Sequence, residues 1–303
     1  MIDFQPLTLE DRERFEPYLL TGEERGCEYS FANLYLWGRQ RAAVVGDQLL
    51  LFSQFNRRTV YPYPAGAGNK KEALDAIIAD ASQRGIPCRI TGLNQDHIAL
   101  IQREYPDRFR FHCDRDSYDY IYAIDDLADL KGKKYQKKRN HVNRFQVTYP
   151  YYTTEPITEH NLASVMEMAQ QWYAQRLQED PHGDYHMERS ALMKALKHLK
   201  ELNMESLVLR DGDDILAFTL GSRLSESTFD IHFEKARADI DGAYAVINCA
   251  FARYLRSKYP DVQYLNREDD LGLEGLRKAK LSYYPHHLVE KCWACLLEDG
   301  YDY

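Results

Sequence analysis

The chain has 303 residues, of which 44% are hydrophobic, 13% aromatic and 28% charged, and its formal net charge is −8 at pH 7. That length favours two domains, and the composition is that of a globular chain able to bury a core, which excludes extended disorder. Apolar runs such as Ile215–Leu220 stop at about six residues against the ~20 of a membrane-spanning helix, and the net acidity excludes a general nucleic-acid coat while allowing a local basic patch.

The first residues, Met1-Ile2-Asp3-Phe4-Gln5-Pro6, lack the basic and apolar regions of a secretory leader. A cytoplasmic protein is therefore expected, with its six cysteines (27, 88, 113, 249, 292 and 295) reduced. Next, Pro6-Leu7-Thr8-Leu9-Glu10-Asp11 reads as a strand end and a Thr-capped helix. Gly46-Asp47-Gln48-Leu49-Leu50-Leu51-Phe52 reads as a tight hairpin turn followed by a buried strand. A strand and small residues follow at Tyr61–Gly68, then a helix over about 70–84, a strand over 88–94 ending at Asn94, a short helix and a final apolar strand.

The same landmarks recur in the same order roughly 150–175 residues later. Pro156-Ile157-Thr158-Glu159 answers Pro6-Leu7-Thr8-Leu9, and Gly212-Asp213-Asp214-Ile215-Leu216-Ala217-Phe218 answers the segment from Gly46. The strand Phe229–Ala236, the turn Asp241-Gly242-Ala243, a helix over about 244–258, the strand Val262–Asn266, a short helix and an apolar strand over 289–297 complete the second copy. The chain thus reads as one unit written twice. Each unit mixes hairpins with one βαβ-like crossover, which predicts an α/β fold with mixed sheets. The expected division is 1–130, a linking arm over 131–150, and 151–303.

Cys292 and Cys295 have the spacing of zinc ligands, but a strand there points them to opposite faces, so they read as core. His182 and His186 flank Gly183 with no third ligand in view, so they read as a surface loop. No metal site is expected.

The arm is a local reversal of charge. Residues 131–144 hold seven Lys or Arg and no acid. Such a run is either a solvated basic helix or a track for a polyanion's phosphates, with Tyr135 and His141 able to stack on bases. Elsewhere, Glu268, Asp269 and Asp270 follow a strand end, where α/β ligands gather. Glu234 lies mid-strand with His232 on the same face; a buried carboxylate there suits a general base, or else an ion pair with Lys235 or Arg237. Gly242 and Ala243 open a helix, so backbone N–H groups there can approach an anion, or the glycine simply serves the turn.

The order of elements in each half resembles the GNAT (N-acetyltransferase-like) fold. Two such units in one chain resemble the lysylphosphatidylglycerol synthase catalytic domain and the Fem-type aminoacyltransferases. Glu274-Gly275-Leu276-Arg277-Lys278-Ala279-Lys280-Leu281-Ser282-Tyr283 is similar to their Gly-Leu-x-x-x-Lys-x-x-Phe signature, with Tyr283 for Phe. The segments Asn266–Gly272 and Lys137–Phe145 resemble those of stand-alone proteins carrying the phosphatidylglycerol lysyltransferase C-terminal domain. The resemblance implies an aminoacyl-tRNA-dependent acyltransferase with a lipid or small-molecule acceptor and no required cofactor. It is compatible with peripheral membrane contact. It implies that Lys280 stabilises the oxyanion and that Glu234 or Glu268 is the base. Arg277, Asn266 and Arg267 would hold the donor's end, and Lys137, Lys138, Arg139 and Arg144 its phosphates. A coenzyme A-dependent N-acyltransferase, with the pyrophosphate at Gly242-Ala243, and a non-catalytic binding protein are the alternatives.

Overall fold

A computed structural model describes residues 1–21, 23–37, 40–55, 58–181, 183 and 185–297. His182 lies outside the described residues, and its companion His186 opens a helix. The first half runs β1 (Gln5–Pro6), α1 (Arg12–Leu19), α2 (Phe31–Leu36), β2 (Gln40–Val45), β3 (Gln48–Phe55), β4 (Arg58–Pro62), α3 (Lys70–Arg84), β5 (Arg89–Leu93), α4 (Gln95–Glu104) and β6 (Phe109–Cys113). Then come β7 (Asp119–Ala123), α5 (Ile124–Asp129) and the arm helix α6 (Gln136–Thr148). The second half runs β8 (Thr153–Glu155), α7 (Leu162–Glu179), α8 (His186–Lys197), β9 (Glu205–Asp211), β10 (Asp214–Arg223), β11 (Thr228–Ala236), α9 (Ala243–Lys258), β12 (Tyr264–Asn266), α10 (Glu274–Leu281), β13 (His287–Val289) and β14 (Cys292–Leu296).

The strands form two seven-stranded sheets, ordered β1-β2-β3-β4-β5-β14-β6 and β8-β9-β10-β11-β12-β7-β13. Position by position the two orders correspond. In each sheet one pair is parallel, β4–β5 and β11–β12, and every other pair is antiparallel. The two hairpin turns match as well: Gly46 and Gly212 both sit at φ +57°, which a tight two-residue connection requires.

The sixth strand of each sheet comes from the other half. β7 precedes the arm yet pairs with β12 and β13, and β14 crosses back to lie between β5 and β6. A break at 131–150 therefore does not divide the sheets, and each unit is completed by its neighbour. The apolar run expected as one strand over 289–297 holds β14, while β13 ends at its first residue, Val289, and lies in the other sheet. The exchange also corrects the cysteine expectation. It sets Cys292 directly opposite Cys113, and the two are joined in a disulfide. Cys27, Cys88, Cys249 and Cys295 are free and buried.

The two sheets share a middle core. Phe15, Leu19, Phe31 and Leu34 from α1 and α2 pack with Val165, Tyr173, Leu192 and Phe218 from the second half. Outside it, α3 and α4 cover the first sheet, and α5, α6 and α9 cover the second. Among the described residues no helix is long and apolar enough to cross a membrane.

Candidate active site

The second sheet opens where its parallel pair diverges. β11 is nine residues long, but it pairs with β12 only at Thr228–Asp230 opposite Tyr264–Asn266. Past that point β12 gives way to the loop 267–270, and the edge of Ile231–Ala236 leaves the ladder. On its other side β11 carries a bulge: Leu220 faces Phe233 while Gly221 faces Ile231, so His232 is the extra residue. A bulge bends its strand and re-aims the extra side chain. The result is a wedge between β11 and the loop after β12.

The loop is pinned from below. Glu268 sits at φ +57°, a strained conformation for a residue with a side chain. Its N–H donates to Asn266 Oδ1 at 2.7 Å, and Asn266 Nδ2 donates to Asp119 Oδ2 at 2.9 Å. Lys280, only 8% exposed, donates to the carbonyls of Arg267, Glu268 and Asp269. An ammonium has three donors, and all three are engaged, so none remains for an oxyanion. Burial first, and then Arg267, push the Lys280 ammonium down from its usual range. Lys280 and Asn266 therefore position the loop that presents Glu268.

Glu268 Oε1 lies 3.2 Å from His232 Nδ1 and 3.4 Å from Asn33 Nδ2. His232 Nδ1 is also 3.4 Å from Asp230 Oδ2, and its Nε2 is 2.8 Å from Ser222 Oγ. Asp230 is fully buried, and burial, then Glu268 and Asp119, raises its carboxyl well above the ordinary range. Behind it, Lys291 Nζ sits 2.7 Å from Asp119, 3.4 Å from Asp269, 3.5 Å from Glu28 and 3.7 Å from Cys27 Sγ. Burial lifts the Asp269 carboxyl to about 6. Among the described residues two sets have donor atoms close enough to surround an ion, Cys27–Asp230–Glu268 and Cys27–Glu28–Asp119. The Lys291 ammonium already supplies the positive charge to the second.

The opposite wall of the wedge is basic and aromatic. Glu234 accepts from Arg267 at 2.9 Å and from Asn248 at 3.1 Å. Its partner is thus neither Lys235, which pairs with Glu188, nor Arg237, which pairs with Asp239. The Arg267 guanidinium lies 4.9 Å from the Tyr283 ring centre, and Lys138 Nζ lies 3.7 Å from the same ring. Burial holds the Lys138 ammonium down at about 8. Arg267 Nη1 and Asn248 Oδ1 are buried with no hydrogen-bond partner among the described residues. A donor and an acceptor left open in one wall is what a ligand-binding surface offers.

Several expected anion contacts are committed elsewhere. Arg277 forks onto Asp270 with two 2.8 Å bonds and also pairs with Asp116. Arg139 caps the carbonyls of Leu130 and Gly132. Arg144 and His141 both bind Asp241, at 2.6 and 2.9 Å. Tyr135 is buried, with its hydroxyl on the Tyr283 carbonyl, so it cannot stack on a base. Of the arm's named cations, Lys137 is exposed and Lys138 borders the wedge. Gly242 is at φ +87°, and a Cβ there would come within 2.6 Å of the His141 carbonyl. The main chain of α6 packs directly against Gly242.

A family model described as phosphatidylglycerol lysyltransferase, C-terminal, matches residues 21–295. The chain belongs to this family. A conserved protein of unknown function from Bacteroides thetaiotaomicron is 39% identical, with a TM-score of 0.92 over 98% of this chain and 100% of its own. L-PGS from Bacillus licheniformis is 17% identical, with a TM-score of 0.71 over 98% of this chain and 94% of its own. An uncharacterized protein of Mycoplasmoides gallisepticum is 23% identical over 176 residues, 58% of this chain and 55% of that protein. The chain therefore spans about half the length of that curated relative. The fold is two GNAT-like units in tandem, shared with FemX and with a tandem GNAT protein. Family and fold are those of transferases of the lysylphosphatidylglycerol synthase type.

In this lysyltransferase-family wedge, sequence reasoning reached His232, Glu234, Arg267, Glu268 and Lys280. It missed Ser222, Asp230, Asp119, Cys27 and Lys291. Asp230 carried a readable signal, a lone acid in the apolar strand Phe229–Phe233. Asp119 and Lys291 did not, because the strand exchange brings them together.

Proposed function

We propose that the chain is an acyltransferase that moves an aminoacyl group from an aminoacyl-tRNA donor to a lipid or small-molecule acceptor, with the wedge between β11 and the 267–270 loop as its active site. The observation that carries this reading is Glu268, held in a strained backbone by Lys280 and Asn266 and backed by His232. Glu268 takes the proton from the acceptor's nucleophile as that atom attacks the donor ester, and a general base of this kind contributes about 10²–10⁴-fold. Glu268, with the half-buried Asp269 beside it, gives the neighbouring wall its negative charge, which suits the donor's ammonium. Lys138 and Arg267 on the other wall suit its phosphate, with exposed Lys137 extending that track. Lys280 acts through the loop it holds.

The coenzyme A reading draws no support from this geometry, since the His141 carbonyl lies against Gly242. The test is transfer itself. Protein is mixed with tRNA charged with radiolabelled amino acids, in the presence of phosphatidylglycerol vesicles or a panel of soluble amines, and label leaving the tRNA is followed. Release that requires an acceptor and is lost in Glu268→Gln supports the reading. Release that is indifferent to Glu268, or no release with any acceptor, counts against it.

A further inference from the structure

Ser222, His232 and two acids form a linked set. His232 Nδ1 hydrogen-bonds Glu268 Oε1 at 3.2 Å, an acceptor, with Asp230 Oδ2 3.4 Å away. The ring proton therefore sits on Nδ1, Nε2 is left as an acceptor, and the Ser222 hydroxyl at 2.8 Å donates to it. A serine hydrogen-bonded to an imidazole that is oriented by a carboxylate is the arrangement that activates a hydroxyl as a nucleophile. The His232 ring is buried, so these bonds are little disturbed by solvent.

Ser222, itself buried, also lines a cavity of about 40 Å³ together with Leu19, Phe31, Leu202 and Asn203. That is room for about three waters, or for a short acyl chain. It is too small for an aminoacyl-adenosine, which separates this site from the wedge. Asn203, which lines the cavity, is exposed.

We propose that Ser222, His232 and the Glu268–Asp230 acid pair form a catalytic set that makes Ser222 a nucleophile toward esters of short acyl chains. Ser222 Oγ attacks the ester carbonyl carbon, the new Oγ–C bond forms, and the bond to the leaving alkoxide breaks. The hydroxyl proton passes to His232 Nε2 and from there to the alkoxide, giving acyl-Ser222 and an alcohol. Water, deprotonated by His232, then hydrolyses the acyl-serine to a carboxylic acid and free Ser222. This activity needs no tRNA and stands apart from aminoacyl transfer.

The probe is p-nitrophenyl acetate with the full chain, read by p-nitrophenolate release and by peptide mass mapping. The expected result is one acetyl group on the Ser222 peptide, absent in Ser222→Ala. His232→Gln should slow its formation about 1,000-fold. Ser222→Cys keeps a nucleophile of similar size and should label on sulfur, so it decides the matter if the alanine variant fails to fold. Acetylation confined to other residues, or Ser222 labelling at an unchanged rate in His232→Gln, overturns the proposal. Neither outcome bears on label leaving charged tRNA, so the two readings fail separately.

Discussion

In the N-terminal unit the parallel pair β4–β5 runs on into Pro62-Tyr63-Pro64, and Tyr63 still donates its N–H to the Thr91 carbonyl at 2.9 Å. Tyr61 and Tyr63 are buried, the Tyr63 ring stacks 3.8 Å from His97, and Tyr29 donates its hydroxyl to the Tyr63 carbonyl. The opening that the C-terminal unit keeps is here filled with rings. In the C-terminal unit the equivalent pair diverges after Asp230, and the gap is lined by His232, Glu234, Arg267 and Glu268. Two units with one strand order thus differ in whether the space between the parallel strands is packed or polar. The shared scaffold is a matter of fold, and the chemistry resides in what lines the gap.

The sharpest way to break this contrast is at Glu268. Glu268→Gln keeps the shape and removes the base, and it is expected to lower acyl transfer about 1,000-fold, within the range for a lost general base, with little change in thermal midpoint. The N-terminal counterpart should behave in the opposite way. Tyr61→Ala empties a fully buried ring site and should cost about 3–5 kcal/mol in urea unfolding while the surviving folded protein transfers normally. Equal effects of both variants on activity would erase the distinction.

Lys280→Met comes next. It leaves the Arg267, Glu268 and Asp269 carbonyls without their donor and should lower turnover about 100-fold with a much smaller change in donor affinity, since Arg267 keeps its side-chain bond to Glu234 while Glu268 loses its placement. A fall in affinity with turnover intact would instead make Lys280 a donor-binding residue.

Asp269 gives a pH test. Its carboxyl is raised to about 6 in the fold, above the 3.8 of the free side chain, so the folded state binds the extra proton. Stability therefore falls as pH rises from about 4 to about 6 and is flat beyond, and Asp269→Asn removes that fall. At pH 7.5 the variant should gain about 1–3 kcal/mol, the attraction of Lys291 at 3.4 Å being already contained in the raised value. Parallel urea curves at pH 4 and 7.5 check the sign.

The smallest effect belongs to the arm. Lys137→Ala with Lys138→Ala should weaken tRNA binding and flatten its salt dependence by about 0.7–0.9 log units for each phosphate no longer neutralised. Binding should also weaken above about pH 8, where Lys138 loses its charge. Arg139→Ala and Arg144→Ala, whose charges are spent on internal partners, should leave the salt slope unchanged.

Local features of the fold were legible in the sequence. α3 starts at Asn69, whose side chain caps it, and ends at Gly85, as the helix signals over 70–84 indicate. The paired hairpins at Gly46 and Gly212 were legible for the same reason, because a turn is written in adjacent residues. The exchange of β7 and β14 was not, since a strand's pattern says which face is apolar and nothing about which sheet receives it. The disulfide and the Asp119–Lys291 pair depend on that exchange and were hidden with it. Lys280 was found by its place in a signature, but its three carbonyl partners lie in a loop whose conformation no local signal describes.

The most direct test of the central claim is a crystal structure of the protein soaked with a 3′-aminoacylamido-adenosine, a donor end with a stable amide in place of the ester. Density is expected between β11 and the 267–270 loop, with the amide beside Glu268 and the adenosine toward Arg267 and Lys138. Density between β4 and β5, or on the arm with the wedge empty, would contradict it.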